Sequence, residues 1–442
     1  MASSWYNIGN NSLWEVLSVD YRITDFGAVV SDALQTEAIQ KAIDTCFLAG
    51  GGRVVVPAGA FRTGCIRLRS NVTLYLESGA ILEGSWDPDD YCSYLQDTLE
   101  PLDLDAPRHP SRSVDPFSRW NNGLIKAINA KNISIIGEPG SYLDGVNCYD
   151  PTGEEKYRGP HMINIHNCEN IYLEGYTIRR SANWAHNICR SQNITCRKVA
   201  VYGGHDGFDI RTCDHTLIED CIFHTGDDCV AGFDNHDVVI RNCDLNCACN
   251  VFRFSGADVL IENCNAFSPA RFGHRWTLSD QEKAARIETT SESRHTTGPA
   301  FAHYCDFRAE IRRAPGNILV RNCEFSGMDI LYQMTFGDHV WCCNRPMTQI
   351  KFQDCKFTDI CLPSTIHGSA EEPIVFELEN VEVSAREGYE DIAFMDLRDF
   401  KTISLENVTL RNFSNPRIIT RTEGEITGNS AANFPVEPYQ ES

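Results

Sequence analysis

The stretch Asp237-Val-Val-Ile-Arg-Asn-Cys243 decides the fold, because it returns 21 residues later as Asp258-Val-Leu-Ile-Glu-Asn-Cys264. Each copy begins with a polar residue, continues with alternating apolar residues and ends in Asn-Cys. Alternation with a period of two, rich in β-branched residues, predicts a β-strand. Related units begin at Asn132, Asn170, Asn193, His215, Asn317, Gln349 and Lys401.

The spacing of these units predicts how the strands are connected. Units that begin at 170, 193, 215, 237 and 258 are separated by 23, 22, 22 and 21 residues. So short a period leaves no room for a helix between strands, which argues against a leucine-rich repeat or a βα barrel. We therefore predict an all-β solenoid, a parallel β-helix, in which each unit is one coil and the recurring asparagines form amide ladders in the turns.

The length and composition of the chain exclude some classes of binding partner. The chain has 442 residues and a formal net charge of -22, and nucleic-acid binding needs a basic face, so no nucleic-acid partner is expected. No stretch approaches the roughly 20 apolar residues of a membrane span. The start, Met1 to Asn7, shows no signal peptide, which predicts a cytoplasmic protein. The sequence leaves the oligomeric state open.

The 20 cysteines predict a buried column rather than disulfides. Cys221, Cys243 and Cys264 occupy the same position in successive units, which is typical of small side chains stacked in a core. Cys247 and Cys249 form a Cys-x-Cys pair, but no second pair or histidine cluster completes a zinc site. No metal and no cofactor are expected.

We predict a single domain over residues 1–442. Residues 20–100 are assigned to an N-terminal cap and the first coils, and 126–265 to regular coils that carry the site. An apolar stripe between Leu34 and Phe47 predicts a capping helix, begun by Ser31 or Asp32 and ended by Gly50-Gly51-Gly52. The remaining segments are a loop at 101–125, a long inserted loop at 266–316, C-terminal coils at 317–422 and a loose tail at 423–442.

Two acidic clusters in consecutive units form the candidate site. His205-Asp206-Gly-Phe-Asp209 is followed by Gly226-Asp227-Asp228, so Asp206 and Asp227 lie 21 residues apart. Neighbouring coils are roughly 4.8 Å apart, which would bring these carboxylates together and drive their pKa values apart. The competing interpretation is that the aspartates only hydrogen-bond turn amides, and this is the favoured interpretation for Asp209.

Several ordered blocks resemble glycoside hydrolase family 28, the polygalacturonase family and related pectin-backbone hydrolases. Asp206-Gly-Phe-Asp209-Ile is similar to the family's Asn-Thr-Asp block, and Gly226-Asp227-Asp228-Cys229 is similar to its Asp-Asp block. The resemblance implies a right-handed parallel β-helix with an inverting glycosidase site, in which Asp227 is the general acid and Asp206 and Asp228 activate water. Further blocks are Thr24-Asp-Phe-Gly-Ala28, Gly50-Gly-Gly-Arg-Val-Val-Val-Pro-Ala-Gly59, Ser70-Asn-Val-Thr-Leu74, Leu143-Asp-Gly145, Arg158-Gly-Pro160 and Ser181-Ala-Asn-Trp184.

The chain departs from this family where substrate is bound. The family's Gly-His-Gly block aligns with Ala248-Cys249-Asn250, so that Cys249 replaces the usual histidine. Its Arg-Ile-Lys block is best matched by Gly273-His-Arg275-Trp-Thr277, whereas counting coils points to Arg271; both arginines stay candidates.

Two further side chains are candidates for substrate contact. His205 either contacts sugar hydroxyls, stands in for the missing histidine, or is an ordinary surface residue. Trp184 either stacks on a sugar or belongs to the core.

We therefore expect an inverting glycosidase, exo-acting on a pectin-derived oligosaccharide or small glycoside, because the long insertion would wall off one end of a cleft. Two alternatives stay open. One is a non-catalytic carbohydrate-binding β-helix, suggested by the altered histidine and lysine positions. The other is a polysaccharide lyase on the same scaffold.

Overall fold

The structure, a computed structural model, describes residues 19–91, 99, 115–153, 157–289, 297–306 and 311–440. Its strands pair in parallel from one coil to the next, and each coil contributes up to three strands. The leading and middle strands of the coils make one continuous sheet, and the trailing strands make a second sheet of 12 strands. The chain is a right-handed parallel β-helix, as the sequence predicts.

Strand bounds follow the three faces of this helix. The leading face contains Ile66–Arg67, Gly123–Ile128, His161–His166, His186–Cys189, Phe208–Arg211, Thr297–His303, Met328–Thr335, Ser364–His367, Met395–Arg398, Ile418–Thr420 and Val436–Pro438. The middle face contains Asp20–Arg22, Gly52–Val56, Val72–Leu76, Lys131–Gly137, Glu169–Glu174, Gln192–Arg197, Asp214–Glu219, Gly316–Arg321, Gln349–Gln353, Ile374–Glu379, Phe400–Glu406 and Glu425–Thr427. Two long strands, Val230–Arg241 and Phe252–Glu262, pass from the leading to the middle face. The trailing face contains Gly59–Thr63, Ala80–Gly84, Tyr142–Asp144, Thr177–Arg179, Ala200–Tyr202, Ile222–Thr225, Asp244–Cys247, Asn265–Phe267, Glu324–Ser326, Lys356–Ile360, Glu382–Ala385 and Thr409–Arg411.

The polar residue that opens each unit has a structural reason. Asn170, Asn193 and Asn317 have φ of +59°, +57° and +52°, a left-handed conformation that asparagine tolerates better than most residues. The predicted amide ladders are also present. The Nδ2 atom of Asn132 donates to Oδ1 of Asn71 at 2.8 Å, and Asn170 donates to Asn132 at 2.8 Å. These hydrogen bonds connect the same turn of successive coils.

The cysteine column is confirmed as part of the core. Cys221, Cys243 and Cys264 are 1–3% exposed, and the 19 cysteines that the structure describes are all free thiols. Burial and the neighbouring thiols raise the pKa of these groups, so they stay protonated and unreactive.

An N-terminal helix, Thr36–Leu48, covers the first coil and buries Ile39, Ala42, Ile43 and Cys46. The prediction that Ser31 or Asp32 caps it is wrong. The helix begins after Gln35, which makes no capping bond. Gln35 instead accepts from the N–H of Val29 and donates to Ser31, so the turn before the helix is held by an amide rather than by a cap.

Three predicted boundaries differ from the structure. The insertion at 266–316 is interrupted by the strand Thr297–His303, which pairs with the coils on either side, so the inserted segments are 268–296 and 304–315. Of the loop at 101–125, residues 101–114 lie outside the described residues, and a strand already begins at Gly123. The predicted loose tail contains Glu425–Thr427 and Val436–Pro438, which pair with the last coils through backbone hydrogen bonds that sequence periodicity does not reveal.

The shorter helical segments are Asp280–Ala284 and the 3-10 turns Ile23–Phe26, Pro88–Asp90, Arg119–Asn121, Arg275–Thr277 and Ala431–Asn433. Among the described residues, no helix is long and apolar enough to cross a membrane.

Candidate active site

The register of the leading face determines which acidic residues are neighbours. Phe208 pairs with Val230, and the Gly207 N–H donates to the Asp228 carbonyl at 2.9 Å. Counting back along both strands, Asp206 lies level with Asp228 and His205 level with Asp227. The predicted one-rung relationship therefore holds for Asp206 and Asp228, while Asp227 is the diagonal neighbour of Asp206. The coil repeat at this point is 22 residues rather than 21.

Asp228 is held from the next coil. Its Oδ1 accepts from the Asn250 backbone N–H at 3.0 Å and from Nδ2 at 2.6 Å, and its Oδ2 accepts from Nε of Arg253. Asp206 is buried, and its nearest described cation is again Arg253, whose Nη2 lies 3.6 Å from Oδ2. A single guanidinium, stacked 4.2 Å from the ring centroid of Tyr304, thus faces two carboxylates.

Asp227 has a different set of neighbours. Its Oδ2 lies 3.2 Å from Nε2 of His274, 3.6 Å from Nδ1 of His205 and 3.9 Å from Nη2 of Arg158. The side chain of Asp227 is 15% exposed, whereas those of Asp206 and Asp228 are 0% and 1% exposed. Asp227 is therefore the member of the acidic trio that solvent or a ligand can reach.

The electrostatic environment separates the three acids. Burial, with the negative charges of Asp227 and Asp228, raises the pKa of Asp206 well above its usual range. Burial also raises the pKa of Asp228, against the opposing effect of Arg253. Burial acts the same way on Asp227, but His274 and His205 outweigh it and hold the pKa of Asp227 well below its usual range.

The two histidines do not contribute equally to that effect. Burial, with the positive charges of Arg275 and Arg158, holds the pKa of His205 well below its usual range, so its imidazole is neutral near pH 7. His274 has the larger effect on Asp227. Its Nδ1 accepts from the Trp276 N–H at 3.2 Å, which leaves Nε2 to donate to Oδ2 of Asp227.

A cavity of about 270 Å³ lies toward the N-terminal coils, and none of the three acids lines it. Trp120 and Arg158 line it, together with Arg119 and Asp150. The guanidinium of Arg158 stacks 5.0 Å from the Trp120 ring centroid and also reaches Asp227. Arg158 thus connects the cavity to Asp227.

Trp184 packs beside this cavity rather than standing open in it. It is 5% exposed, meets Trp120 edge-on at 5.4 Å, and carries the guanidinium of Arg211 at 4.4 Å from its ring centroid. Arg211 pairs with Asp209 at 2.9 Å, and both are buried. Asp209 therefore anchors the packing under the site, in keeping with the interpretation favoured from sequence.

The other candidate side chains take distinct places. Cys249 is half-buried, with its Sγ within 4.8 Å of carboxylate oxygens of Asp227 and Asp228. Arg271 is exposed, and its Nη1 lies 3.1 Å from Nδ1 of His224, three residues before Asp227. Arg275 is 1% exposed, so it is closed off from the cleft, although its charge acts on His205.

The inserted segment 268–289 forms one wall of the site. It delivers His274 to Asp227 and then runs back along the coils toward the N-terminus. Nη2 of Arg286 donates to the Trp86 carbonyl at 2.6 Å, and Nδ2 of Asn147 donates to the Arg286 carbonyl at 3.3 Å. Its short helix is held by a capping box between Ser279 and Glu282.

Sequence reasoning did not assign four residues that contact the acids: Arg158, Asn250, Arg253 and His274. Arg158 and His274 lie inside blocks that were singled out for other reasons. The position of Arg253 could have been predicted from the strand register. Arg253 lies 22 residues beyond Ala231, which lies 22 residues beyond Asp209, so the three residues occupy the same position of the leading face in successive coils. The position of His274 follows from an irregular insertion and has no periodic signal.

Comparison with known proteins gives partial matches. The model of the family described as Glycosyl hydrolases family 28 matches residues 111–248, which include the acidic trio. A probable polygalacturonase of Vitis vinifera is 29% identical over 234 residues, 49% of this chain and 45% of that protein. The exo-poly-alpha-D-galacturonosidase of Dickeya chrysanthemi is 27% identical over 247 residues, 47% and 41% respectively. The chain thus spans less than half the length of these two relatives.

Solved structures extend the likeness of fold over the whole chain. The family 28 exopolygalacturonase of Yersinia enterocolitica superposes with a TM-score of 0.60 at 18% identity, covering 96% of this chain and 79% of that one. At this identity the likeness is one of fold.

Proposed function

We propose that the chain is a divergent member of glycosyl hydrolase family 28 and that it hydrolyses O-glycosidic bonds of a pectin-derived oligosaccharide or small glycoside. One observation carries the proposal: Asp206, Asp227 and Asp228 meet on two adjoining coils, and only Asp227 opens to the cleft. Hydrolysis of a glycoside requires one carboxyl group to protonate the leaving oxygen and another to activate water. The trio supplies both kinds of group.

Asp227 is the proton donor in this proposal. A general acid must contact the glycosidic oxygen, and Asp227 is the most exposed of the three acids. His274, whose Nε2 lies 3.2 Å from Oδ2 of Asp227, lowers the pKa of that carboxyl group in the free protein. The proposal therefore requires that bound substrate raises the pKa of Asp227.

Asp228 and Asp206 activate the water. Asp228 receives hydrogen bonds from Asn250 and Arg253, which favour its ionised form over that of Asp206. In the reaction, the water oxygen bonds to the anomeric carbon as the bond from that carbon to the leaving oxygen breaks. The water proton passes to Asp228, and the leaving oxygen takes the proton of the Asp227 carboxyl group. Attack from the side opposite the leaving group inverts the anomeric centre.

The cations around the trio favour a uronate as the sugar. Arg158 and Arg253 are the arginines within ion-pair distance of the acids among the described residues. A neutral sugar offers these groups no charge to balance. A galacturonate carboxylate beside Arg158, at the mouth of the cavity, supplies one.

Exo action is proposed on the shape of the insertion. Segment 268–289 closes one side of the cleft as far as Trp86, and the cavity beside Arg158 has room for about one sugar unit. A cleft closed in this way accepts the end of a chain more readily than its middle. Two of the compared proteins, from Dickeya chrysanthemi and Yersinia enterocolitica, are named as exo-acting enzymes.

Incubation with digalacturonate, trigalacturonate, unsaturated and rhamnose-containing oligosaccharides and aryl glycosides tests the proposal, with released sugar as the readout. We expect monosaccharide release from at least one uronide and none by Asp227→Asn. No release from any member of the panel would contradict the proposal. An ultraviolet-absorbing unsaturated product would instead assign the site to elimination, the lyase alternative.

A further inference from the structure

A small hydrophobic cluster, separate from the main core, lies beside the water-activating acids. Phe233 and Tyr304 are each 3% exposed, their ring centroids are 5.4 Å apart, and Ile311 packs against them. Tyr304 and Ile311 belong to the second inserted segment, 304–315, of which the structure describes residues 304–306 and 311–315. The cluster therefore attaches this segment to the leading face of the β-helix.

The same segment has a second anchor at Arg312. Nε of Arg312 donates to Oδ2 of Asp234 at 2.8 Å, and its backbone N–H donates to Oδ1 of Asp234 at 2.9 Å. Nη1 of Arg312 donates to Oδ2 of Asp214, one coil earlier, at 2.8 Å. These bonds do not involve Tyr304, so the attachment of the segment and the role of the Tyr304 ring can be measured separately.

The ring of Tyr304 covers one face of Arg253. The ring centroid lies 4.2 Å from the guanidinium carbon, while Nε of Arg253 donates to Asp228 and Nη2 lies 3.6 Å from Oδ2 of Asp206. The Arg253 side chain is nevertheless 24% exposed, so it has access to the cleft. Stacking on an aromatic face restricts the plane of a guanidinium and therefore the directions in which its N–H groups donate.

We propose that Tyr304 is a positioning residue whose ring holds Arg253 against Asp228, so that Asp228 rather than Asp206 accepts the proton of the attacking water. The first half of this proposal concerns the free protein alone, and the second half rests on the proposed function. The ring carries the role. Burial raises the pKa of the Tyr304 phenol, which is therefore neutral near pH 7 and adds no charge beside Arg253.

The partners of the two acids differ in the way this role requires. Asp228 accepts three hydrogen bonds, from the backbone N–H and Nδ2 of Asn250 and from Nε of Arg253. Neither carboxylate oxygen of Asp206 has a hydrogen-bond partner among the described residues. Hydrogen bonds to a carboxylate favour its ionised form, so Asp228 is the better proton acceptor.

Arg253 supplies the positive charge in this arrangement. Among the described residues it is the one cation within ion-pair distance of Asp228. The groups that face Asp228 are Asp206, Asp227, Cys247, Cys249, Asn250 and Arg253. Movement of Arg253 away from Asp228 would leave two neighbouring carboxyl groups without an opposing charge.

NMR of the substrate-free full chain, labelled with ¹⁵N-arginine, tests the first half of the proposal. The Nε–H signal of Arg253 is assigned by its absence in Arg253→Lys, and its exchange with solvent is measured in wild type, Tyr304→Phe and Tyr304→Leu. We expect slow exchange in wild type and in Tyr304→Phe, which keeps the ring. In Tyr304→Leu the exchange should be on the order of tenfold faster.

The Nε–H signal of Arg312 is the internal control, because it reports whether the second inserted segment stays attached. We expect its exchange to be the same in all three chains. Fast exchange of Arg253 in wild type, unchanged exchange in Tyr304→Leu, or equal acceleration of Arg253 and Arg312 in Tyr304→Leu would each overturn the proposal. None of these outcomes depends on finding a hydrolysable sugar.

The pH profile of kcat tests the second half with any substrate that the wild type cleaves. Arg253 lowers the pKa of Asp228, so its displacement should raise that pKa and move the acidic limb to higher pH in Tyr304→Leu. Tyr304→Phe should keep the limb of the wild type. An acidic limb that stays in place while Arg253 exchanges faster would overturn the link from Tyr304 to the water-activating acid.

Discussion

Nε2 of His274 lies 3.2 Å from Oδ2 of Asp227, although 47 positions separate the two residues and only an irregular insertion connects His274 to the coils. The β-helix alone places Asp227 at the cleft. The insertion then adds an imidazole that faces the candidate acid and lowers its pKa. One of the groups that set the pKa of Asp227 thus comes from a segment that is not part of the repeat.

The role of His274 predicts a change in pH dependence. In His274→Asn, Asp227 keeps its place but loses the imidazole that contacts its carboxylate, so we expect kcat to change. Because His274 lowers the pKa of Asp227, its removal should raise that pKa and move the basic limb of the profile to higher pH. Gln281→Ala, an exposed change on the same insertion, is the control. A basic limb that stays in place would show that His274 does not set the pKa of the general acid.

Arg158 should report on the charge of the substrate. Arg158→Gln removes the cation that joins the cavity to Asp227, and loss of a charged hydrogen bond costs about 1.5–3 kcal/mol. We therefore expect KM for a galacturonide to rise by about tenfold or more, with little change for a neutral aryl glycoside. Arg190→Gln, an exposed arginine on another turn, controls for the general loss of positive charge. Equal effects on both substrates would argue against a uronate at this position.

Asp206 should limit stability as well as support activity. Its pKa is raised by burial and by two neighbouring carboxylates, so its contribution to folding is fully present below the unfolded carboxyl pKa and is lost as pH rises. Asp206→Asn removes that cost, and we expect a gain of about 1–2 kcal/mol in the free energy of unfolding at pH 8, with activity abolished. Urea unfolding at pH 5 and pH 8 measures the gain, which should be smaller at pH 5.

Asp209 is the matched control for this prediction, because it is equally buried on the same strand but pairs with Arg211. Asp209→Asn should destabilise the chain at both pH values by about 3 kcal/mol, since it leaves Arg211 without its charge partner. Similar losses in both variants would mean that Asp206 carries no excess electrostatic cost.

The asparagine ladder should contribute measurable stability. Asn132 has φ of +55°, donates to Asn71 and accepts from Asn170. Asn132→Ala loses both bonds and strains the backbone, at a cost of about 2–3 kcal/mol. Asn132→Gly keeps the left-handed backbone and should lose only the ladder bonds, about half as much. Thermal or urea unfolding distinguishes the two, and equal losses would assign the whole effect to the side chain.

Periodicity made the regular coils predictable from sequence. The units from Asn132 to Lys401 mark strands because one polar residue per coil must enter a left-handed turn, which leaves a readable spacing. The same logic located Asp206 and Asp228 on adjoining coils to within one residue. The same reasoning missed the strand Thr297–His303, because the inserted segment that leads to this strand is longer than one coil repeat.

Contacts between side chains of distant segments could not be predicted from the sequence. The positions of Asp227 and Cys249 beside each other follow from coil counting, but the closure of Arg275 from the cleft and the approach of His274 depend on how an insertion folds back. Such contacts are fixed by packing between distant segments and leave no period in the sequence. They also decide which acid is ionised, so the ionisation pattern was not predictable from the motif alone.

The central claim is that the acidic trio cleaves a uronide with inversion, and proton NMR of the anomeric signals tests it most directly. Trigalacturonate, an α-linked substrate, is mixed with the wild-type chain and with Asp227→Asn, and the first-formed product is observed before mutarotation. We predict that the β-anomer of the released sugar appears first with the wild type and that Asp227→Asn releases none. First appearance of the α-anomer, or release by Asp227→Asn at the wild-type rate, would contradict the account.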